Sequence, residues 1–430
     1  MRTRSLDVMI AGEHAGVLSQ DESGALSFAY LRGYRGTPLS SAMPLSTRIY
    51  RDKVVLPYLW GLLPEDPVTR ERVAADSGIS PNNPFALLGI IGLDCPGAVQ
   101  FCSPDSDILR EERLVPIDDG EIARRLKAAR KEGSGWIAES EHWSLGGQQE
   151  KFALRKREGK WFSCEGSAAT THIFKSGVRG LSHQALNEYV CMRLAAECGI
   201  NSARVEYLEF EDAGEIEPAI VIERYDRTFN GETVSRVHQE DFCQALGCLP
   251  ENKYSMYGGP SCGDCISLLK STGREARENV ARFLQMLFFN YLIAATDGHA
   301  KNYSLMLEPD GAHHLAPMYD VASIAPYVNA GDWRNKPPKL AMSIGGENRA
   351  GRVSAGNIGR MVELCGLADL GITSDGCVRL MTLYADLIPD KLEMVFDDLS
   401  GTSSAGVAAE LRTHMIEPIA RLCKKAKAQL

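Results

Sequence analysis

The feature that most restricts this chain is "AATDGHAKNYSL", residues 294 to 305, taken with the apolar run before it. Val280, Phe283, Leu284, Leu287, Phe288, Tyr291, Leu292 and Ala295 repeat at the i, i+3, i+4 spacing of a helix with a buried face. That helix is expected to end at Thr296-Asp297-Gly298, and a β-hairpin to begin near Tyr303. Asp297, His299, Lys301 and Asn302 then share a loop fixed at both ends by packed structure, where reactive side chains are held in place.

Asp297 and Asn302 stand in the pattern D-x-x-x-x-N. Phosphoryl transfer needs a carboxylate facing the attacking hydroxyl and a neutral oxygen ligand for magnesium nearby, and protein kinases use this spacing for both. After the hairpin, "LAPMYD" brings Asp320 as a charged second ligand; magnesium favours few carboxylates together with phosphate oxygens and water. Upstream, the paired glycines of "SLGGQQEKFAL" (144–154) lead into a strand and offer bare backbone N–H groups to phosphates. Lys175 lies in the strand "THIFKSG", and Glu188 on the next helix is placed to orient it. "VIERYD" (221–226) leaves a buried strand into a charged bend whose backbone is suited to adenine. Taken singly, a glycine pair means a turn, and Asp297 or Asp320 a cap or a strand end. The order of all of them is that of a kinase.

The remainder of the chain is expected to be α+β. Residues 1–105 open with the short strands "LDVMIA", "HAGVLSQ" and "LSFAYL" and continue into the helical "LPYLWGLLPEDPVTRERVAADSG". Residues 106–143 turn polar and charged and form the best boundary. Residues 144–236 make a nucleotide-binding lobe. It contains the hairpin "KFALRKREGKWFSC" with Glu158-Gly159 at its turn, and a helix from an N-cap at Ser182 to a stop at Gly199. Residues 237–430 are a helical lobe with the catalytic loop, interrupted by "YSLML" and "HHLAPMYD" around a turn at 309–311. A β-rich lobe followed by a helical one has a natural cleft between its halves.

The formal charge of −9 gives no global basic surface for nucleic acid. The basic clusters "RRLKAARK" (124–131) and "RLCKKAKAQ" (421–429) read as solvated helix faces. The short apolar stretch ahead of Glu13 and His14 is too small for a secretory leader, and no run approaches the roughly 18 apolar residues of a membrane span. A cytoplasmic protein without membrane contact is expected, with its 12 cysteines as thiols.

"SLGGQQEKFAL", "THIFKSG", "NEYVCMRLAAECGI", "ERYDR", "QEDFCQALG" and "IAATDGHAKNYSLML…LAPMYDVAS" closely resemble the HipA family, bacterial serine/threonine kinases that act as toxins of toxin–antitoxin pairs. "PLSSAMPL", "GLLPEDPVTRERV" and "NPFALLGIIGLDCPGAV" extend the likeness over about residues 5 to 400. The resemblance implies a bilobal kinase-like fold akin to the phosphatidylinositol 3/4-kinases. It implies Asp297 as catalytic aspartate and Asn302 and Asp320 as Mg2+ ligands. It gives Lys175 the ATP phosphates and Glu223, Arg224 and Tyr225 the adenine hinge. Gly146, Gly147, Gln148, Gln149, Glu150 and Lys151, with His299, Ala300, Lys301, Asn302, Tyr319 and Asp320, are implied to line the nucleotide site. Gln148 departs from the small or β-branched residue commoner in that loop. Ser144 matches the serine whose autophosphorylation ejects the loop and switches the kinase off. The implied partners are a HipB-like helix-turn-helix antitoxin, operator DNA through that antitoxin, and a substrate such as an aminoacyl-tRNA synthetase, glutamyl-tRNA synthetase foremost.

Three other readings compete. "GPSCG" (259–263) fits the G-x-S-x-G of a hydrolase nucleophile elbow, but polar "ENKYSMYG" precedes it where a buried strand is required, and Pro260 fixes φ. A loop leading into a helix capped by Ser261 accounts for it better. Cys243, Cys248, Cys262 and Cys265 can be spaced as a zinc ribbon, yet they fall in or beside helices and read as buried thiols. The non-enzymatic alternative is an ATP-binding corepressor that acts with a DNA-binding antitoxin, against which intact Asp297, Asn302, Asp320 and Lys175 argue.

Overall fold

The structure, a computed structural model, describes residues 3–104, 112–132, 141–178, 180–230, 233–309, 311–328, 333 and 336–430. It consists of two compact units. The first comprises Met1–Gly180, Glu206–Glu251 and Ser304–His313, and the second Leu181–Val205, Asn252–Tyr303 and His314–Leu430.

In the first unit, alternating apolar residues give β1 (Arg4–Ile10) and β2 (Glu13–Gln20), which pair antiparallel and turn Leu6, Val8, Ile10 and Leu18 inward. With β3 (Leu26–Tyr30), β4 (Tyr50–Arg51) and β5 (Val99–Cys102) they form a sheet in the order β4-β3-β2-β1-β5. Three helices, α1 (Asp52–Leu62), α2 (Pro67–Ser77) and α3 (Pro84–Ile91), supply the rest of a core that buries Phe28, Tyr58 and Phe101. Both α2 and α3 start on a proline behind a capping side chain: Asp66 accepts from the Thr69 N–H and Asn83 from the Ala86 N–H.

The polar segment 106–143 is more than the connector expected of it. It contributes β6 (Glu112–Ile117) and α4 (Asp119–Glu132), whose Ile122 and Leu126 share a core with Phe152 and Phe174. Its residues 106–111 and 133–140 lie outside the described ones. The cations of "RRLKAARK" lie mostly on a solvated face, as expected: Arg124 and Arg130 are exposed and pair at the surface with Asp212 at 2.8 Å and Glu217 at 2.6 Å, and half-exposed Lys127 pairs with Glu215. Arg125 departs from that reading and is buried against Glu141 at 2.8 Å.

A six-stranded sheet follows in the order β10-β11-β9-β7-β8-β6. Its further strands are β7 (Phe152–Arg157), β8 (Lys160–Gly166), β9 (His172–Lys175), β10 (Val205–Asp212) and β11 (Glu215–Glu223), the last two reached after α5 (Gln184–Glu197) of the second unit. Glu158 and Gly159 take φ of 52° and 75°, as a two-residue turn with both centres left-handed demands. The first unit ends with the ribbon β12 (Arg227–Asn230) and β13 (Thr233–Arg236), then β14 (Gln239–Asp241) and the short α6 (Phe242–Ala245).

The second unit is helical. α5 begins at His183, in a left-handed conformation without a side-chain cap, one residue beyond the expected Ser182; Gly199, at φ 78°, lies just past its end as expected. α7 (Cys262–Lys270), α8 (Ala276–Leu292), α9 (Ala355–Leu364), α10 (Ser374–Leu399) and α11 (Ala405–Lys427) complete it, with the hairpin β17 (Lys339–Ile344) and β18 (Glu347–Arg349). Within α8, Phe283, Phe288, Phe289 and Tyr291 are all buried. Between α8 and β17 the chain forms β15 (Ser304–Leu307), which pairs with β14, and β16 (His313–Leu315). Of the turn expected at 309–311, Asp310 lies outside the described residues; the Gly311 N–H donates to the Glu308 carbonyl.

Among the described residues no helix is long and apolar enough to cross a membrane.

Candidate active site

The catalytic loop is built by how α8 stops. The helix ends at Leu292, ahead of the expected Thr296, because Ala294 turns left-handed at φ 53°. The Ala295 N–H reaches back to the Asn290 carbonyl at 2.8 Å and the Ala294 N–H to that of Tyr291 at 3.4 Å, a Schellman turn made without glycine. The chain then passes Asp297 and tightens into a 3-10 turn, Ala300–Asn302, with the Asn302 N–H on the His299 carbonyl at 2.9 Å.

Asn302 is the organising residue. Its Nδ2 donates to the carbonyl of Asp297 at 3.1 Å and to that of Asp320 at 3.4 Å. Two carbonyl acceptors fix which end of the amide is nitrogen. Oδ1, the end a cation requires, is not the one those contacts use. Asp320 itself sits at φ 58°, a left-handed position that aspartate tolerates better than most residues. The Tyr319 hydroxyl donates to the Lys301 carbonyl at 2.9 Å. Asp297, Asn302, Tyr319 and Asp320 line an open cavity together with Asn290 and Met318. Asp297 and Asp320 are exposed, whereas His299, Ala300 and Lys301 are buried beneath the loop. Burial, assisted by the nearby Lys253 ammonium, pushes the His299 imidazole down to about 3, so it is neutral near pH 7 and packs as an aromatic ring. An oxygen-only set of one carboxylate and one carboxamide suits Mg2+ by its chemistry.

A contact the sequence did not suggest lies beside it. The Tyr254 hydroxyl donates to Asp297 Oδ1 at 2.6 Å, and its ring meets His299 edge-on with centroids 4.9 Å apart. Tyr254 belongs to the polar "ENKYSMYG", remote in sequence and without periodicity, so nothing local marks it.

The residues expected to hold phosphates and adenine are in the first unit. Gly147 has φ 104°, a left-handed value that favours glycine. Its carbonyl accepts from the Glu65 N–H at 3.0 Å. Ser144 is fully buried; its Oγ donates to the Leu62 carbonyl at 2.7 Å and its N–H to the Asp94 carbonyl at 3.1 Å. Gly146 and Gln149 are partly exposed and Gln148 exposed. Partial burial, with Asp66 nearby, raises the Glu150 carboxyl to about 7.

Lys175 is buried at the end of β9. Glu188, expected to orient it, is buried on α5 and belongs to the second unit. Glu223 pairs with His172 across β11 and β9. Arg224 is committed to the fold: its N–H donates to the Thr171 carbonyl at 2.9 Å, and its guanidinium lies in a buried cluster with Asp94, Asp226, Arg227 and Arg236. The alternating charges of "ERYDR", directly after a buried strand, were the signal for that cluster. Tyr225 donates its hydroxyl to Gln239 at 2.6 Å.

The rival motifs resolve simply. Ser261 caps α7 in a capping box with Asp264, so "GPSCG" is a helix start. Cys243, Cys262 and Cys265 are buried thiols, as expected, whereas Cys248 is only half-buried.

A loop that brings an aspartate, an asparagine and a second aspartate to one cavity, on a kinase-like α+β fold, is the arrangement of a protein kinase. Residues 143–382 match the HipA-like C-terminal domain and residues 6–102 the HipA N-terminal domain. The serine/threonine-protein kinase toxin HipA of Shewanella oneidensis is 31% identical over 414 residues, covering 92% of this chain and 90% of that protein. The putative kinase Y4mE of Sinorhizobium fredii is 34% identical over 356 residues, 80% of this chain and 82% of its own. The Shewanella HipA solved with HipB and operator DNA superposes with a TM-score of 0.78 at 27% identity, covering 98% of this chain and 99% of that one. The chain belongs to the HipA family.

Proposed function

We propose that this kinase moves the γ-phosphoryl group of ATP to a serine or threonine hydroxyl of a protein and that this makes it the toxin of a toxin–antitoxin pair. The observation that carries the reading is the Asn302 amide, which draws the loop of Asp297 and the chain at Asp320 to one cavity. The acceptor oxygen bonds to the γ-phosphorus while the bond to the β,γ-bridging oxygen breaks. ADP leaves with that electron pair, and the hydroxyl proton passes to the Asp297 carboxylate. Asn302 Oδ1 and the Asp320 carboxylate would hold magnesium, which when bound offsets the phosphate charge. Lys175 is assigned to the phosphates, the loop 146–151 to their cover, and the backbone around Glu223–Tyr225 to adenine.

Three finer assignments rest on family likeness. The acceptor is an aminoacyl-tRNA synthetase, glutamyl-tRNA synthetase being the first candidate. Ser144 is modified by the kinase itself, which releases the glycine loop and stops activity. A small helix-turn-helix antitoxin like HipB binds the chain and carries it to operator DNA.

Asp297→Asn tests the whole reading. Transfer should fall by about 10²- to 10⁴-fold, the usual worth of a positioned base, with ATP affinity and thermal stability retained. Mass spectrometry of cells and of purified protein given Mg-ATP should show a modified synthetase and phospho-Ser144 with the wild type only. Turnover of the variant within a few-fold of wild type would remove Asp297 from the mechanism.

A further inference from the structure

The loop before α7 holds the catalytic carboxylate from the side. The Tyr254 Oη donates to Asp297 Oδ1 at 2.6 Å, a short bond of the kind a hydroxyl makes to a charged acceptor. Tyr254 is not a freely placed surface side chain. Its carbonyl accepts from the N–H groups of both Tyr257 and Gly259 at 3.0 Å, closing the backbone into a tight turn. A Cβ at Gly259 would lie 1.8 Å from the Asn252 carbonyl oxygen, so the turn tolerates nothing larger there. The next residue, Ser255, donates its Oγ to the Ala341 carbonyl at 2.7 Å. The Ala341 N–H in turn donates to the carbonyl of Thr296, the residue before Asp297, at 3.1 Å. One residue of β17 therefore pins both the Tyr254 turn and the catalytic loop. The ring also leans edge-on against His299, with centroids 4.9 Å apart.

From this geometry we propose that Tyr254 is a positioning residue for phosphoryl transfer: its phenol locks the rotation of the exposed Asp297 carboxylate, the group that accepts the substrate proton. The proposal rests on Asp297 being the base. A carboxylate on an exposed loop samples several rotamers, and orientation of a base is a large part of its catalytic value.

The test compares wild type, Tyr254→Phe, Asp297→Asn and the double variant as full-length proteins. Total γ-phosphate turnover from labelled Mg-ATP, to protein and to water, is measured across pH. Tyr254→Phe keeps the ring and its contact with His299 and should lower kcat by about 10- to 100-fold, the worth of a hydrogen bond to a charged group. KM for ATP and the unfolding temperature should hold. On the Asp297→Asn background the same change should have no further effect. A Tyr254→Phe protein as fast as wild type, or faster because the phenol was blocking the base, overturns the proposal. So does an equal loss on both backgrounds, or a loss that follows a drop in stability. If Asp297→Asn alone retains activity, the base assignment fails instead, and the two failures are told apart.

Discussion

Glu240 is a carboxylic acid in a place that disfavours its charge. It is fully buried and accepts from Ser40 Oγ at 2.5 Å and the Ser41 N–H at 2.7 Å. Burial dominates over those hydrogen bonds and raises the group from 4.5 to about 7. The folded protein thus keeps a proton that the unfolded chain releases, and stability is lost as pH rises from about 4.5 to 7. The full effect is on the order of 3 kcal/mol. Glu240→Gln keeps an acceptor for Ser41 and removes the titration. Between pH 5 and pH 8 the unfolding temperature of the wild type should fall relative to the variant. A difference independent of pH would show that Glu240 ionises alike in both states.

Single elements show which parts of the fold are written locally. The hairpin β7–β8 was legible from Glu158-Gly159 because a two-residue turn with positive φ has few sequence solutions. Glu158 is exposed, so Glu158→Asn should favour the turn at no packing cost. It should stabilise by about 0.5 to 1 kcal/mol with kinase activity unchanged, read by thermal denaturation; an unchanged or lower midpoint would count against that turn. That Asp297, Asn302 and Asp320 meet at one cavity was legible for a like reason, since five-residue spacing and a short return fix them relative to one another. Tyr254 was not, because its contact with Asp297 spans 43 residues and depends on where β17 anchors both loops. The start of α5 was misplaced because His183 adopts a left-handed turn that no capping side chain signals. The polar look of 106–143 showed the solvated face of α4 but not its buried one, where Ile122 and Leu126 join a core with Phe152 and Phe174.

At the scale of the whole molecule, charge governs the expected division of labour. The net charge is −9, and four cations of the basic cluster at 124–131 are held by acids of their own unit. Phosphate-backbone binding needs available cations and weakens steeply with salt. The purified chain alone should therefore bind operator DNA no better than random DNA at physiological salt. Adding its antitoxin should produce a specific complex. Titration of labelled DNA at several salt concentrations checks both, and sequence-specific binding by the chain alone would refute the division.

Under the proposed self-modification, the seat of Ser144 would give the molecule a clock. Its hydroxyl is buried, and three hydrogen bonds hold the segment: Ser144 Oγ to Leu62, the Ser144 N–H to Asp94, and the Glu65 N–H to Gly147. Phosphorylation there has to wait until those bonds open together. At about 1 kcal/mol each, the open form is roughly one molecule in a hundred. Self-inactivation by that route would lag behind substrate turnover by about the same factor, and within one chain the delay would not change with protein concentration. The interval between onset and shut-off is then set by how tightly residues 62–65 and 94 grip the loop, and it can be lengthened or shortened without touching any residue of the chemistry.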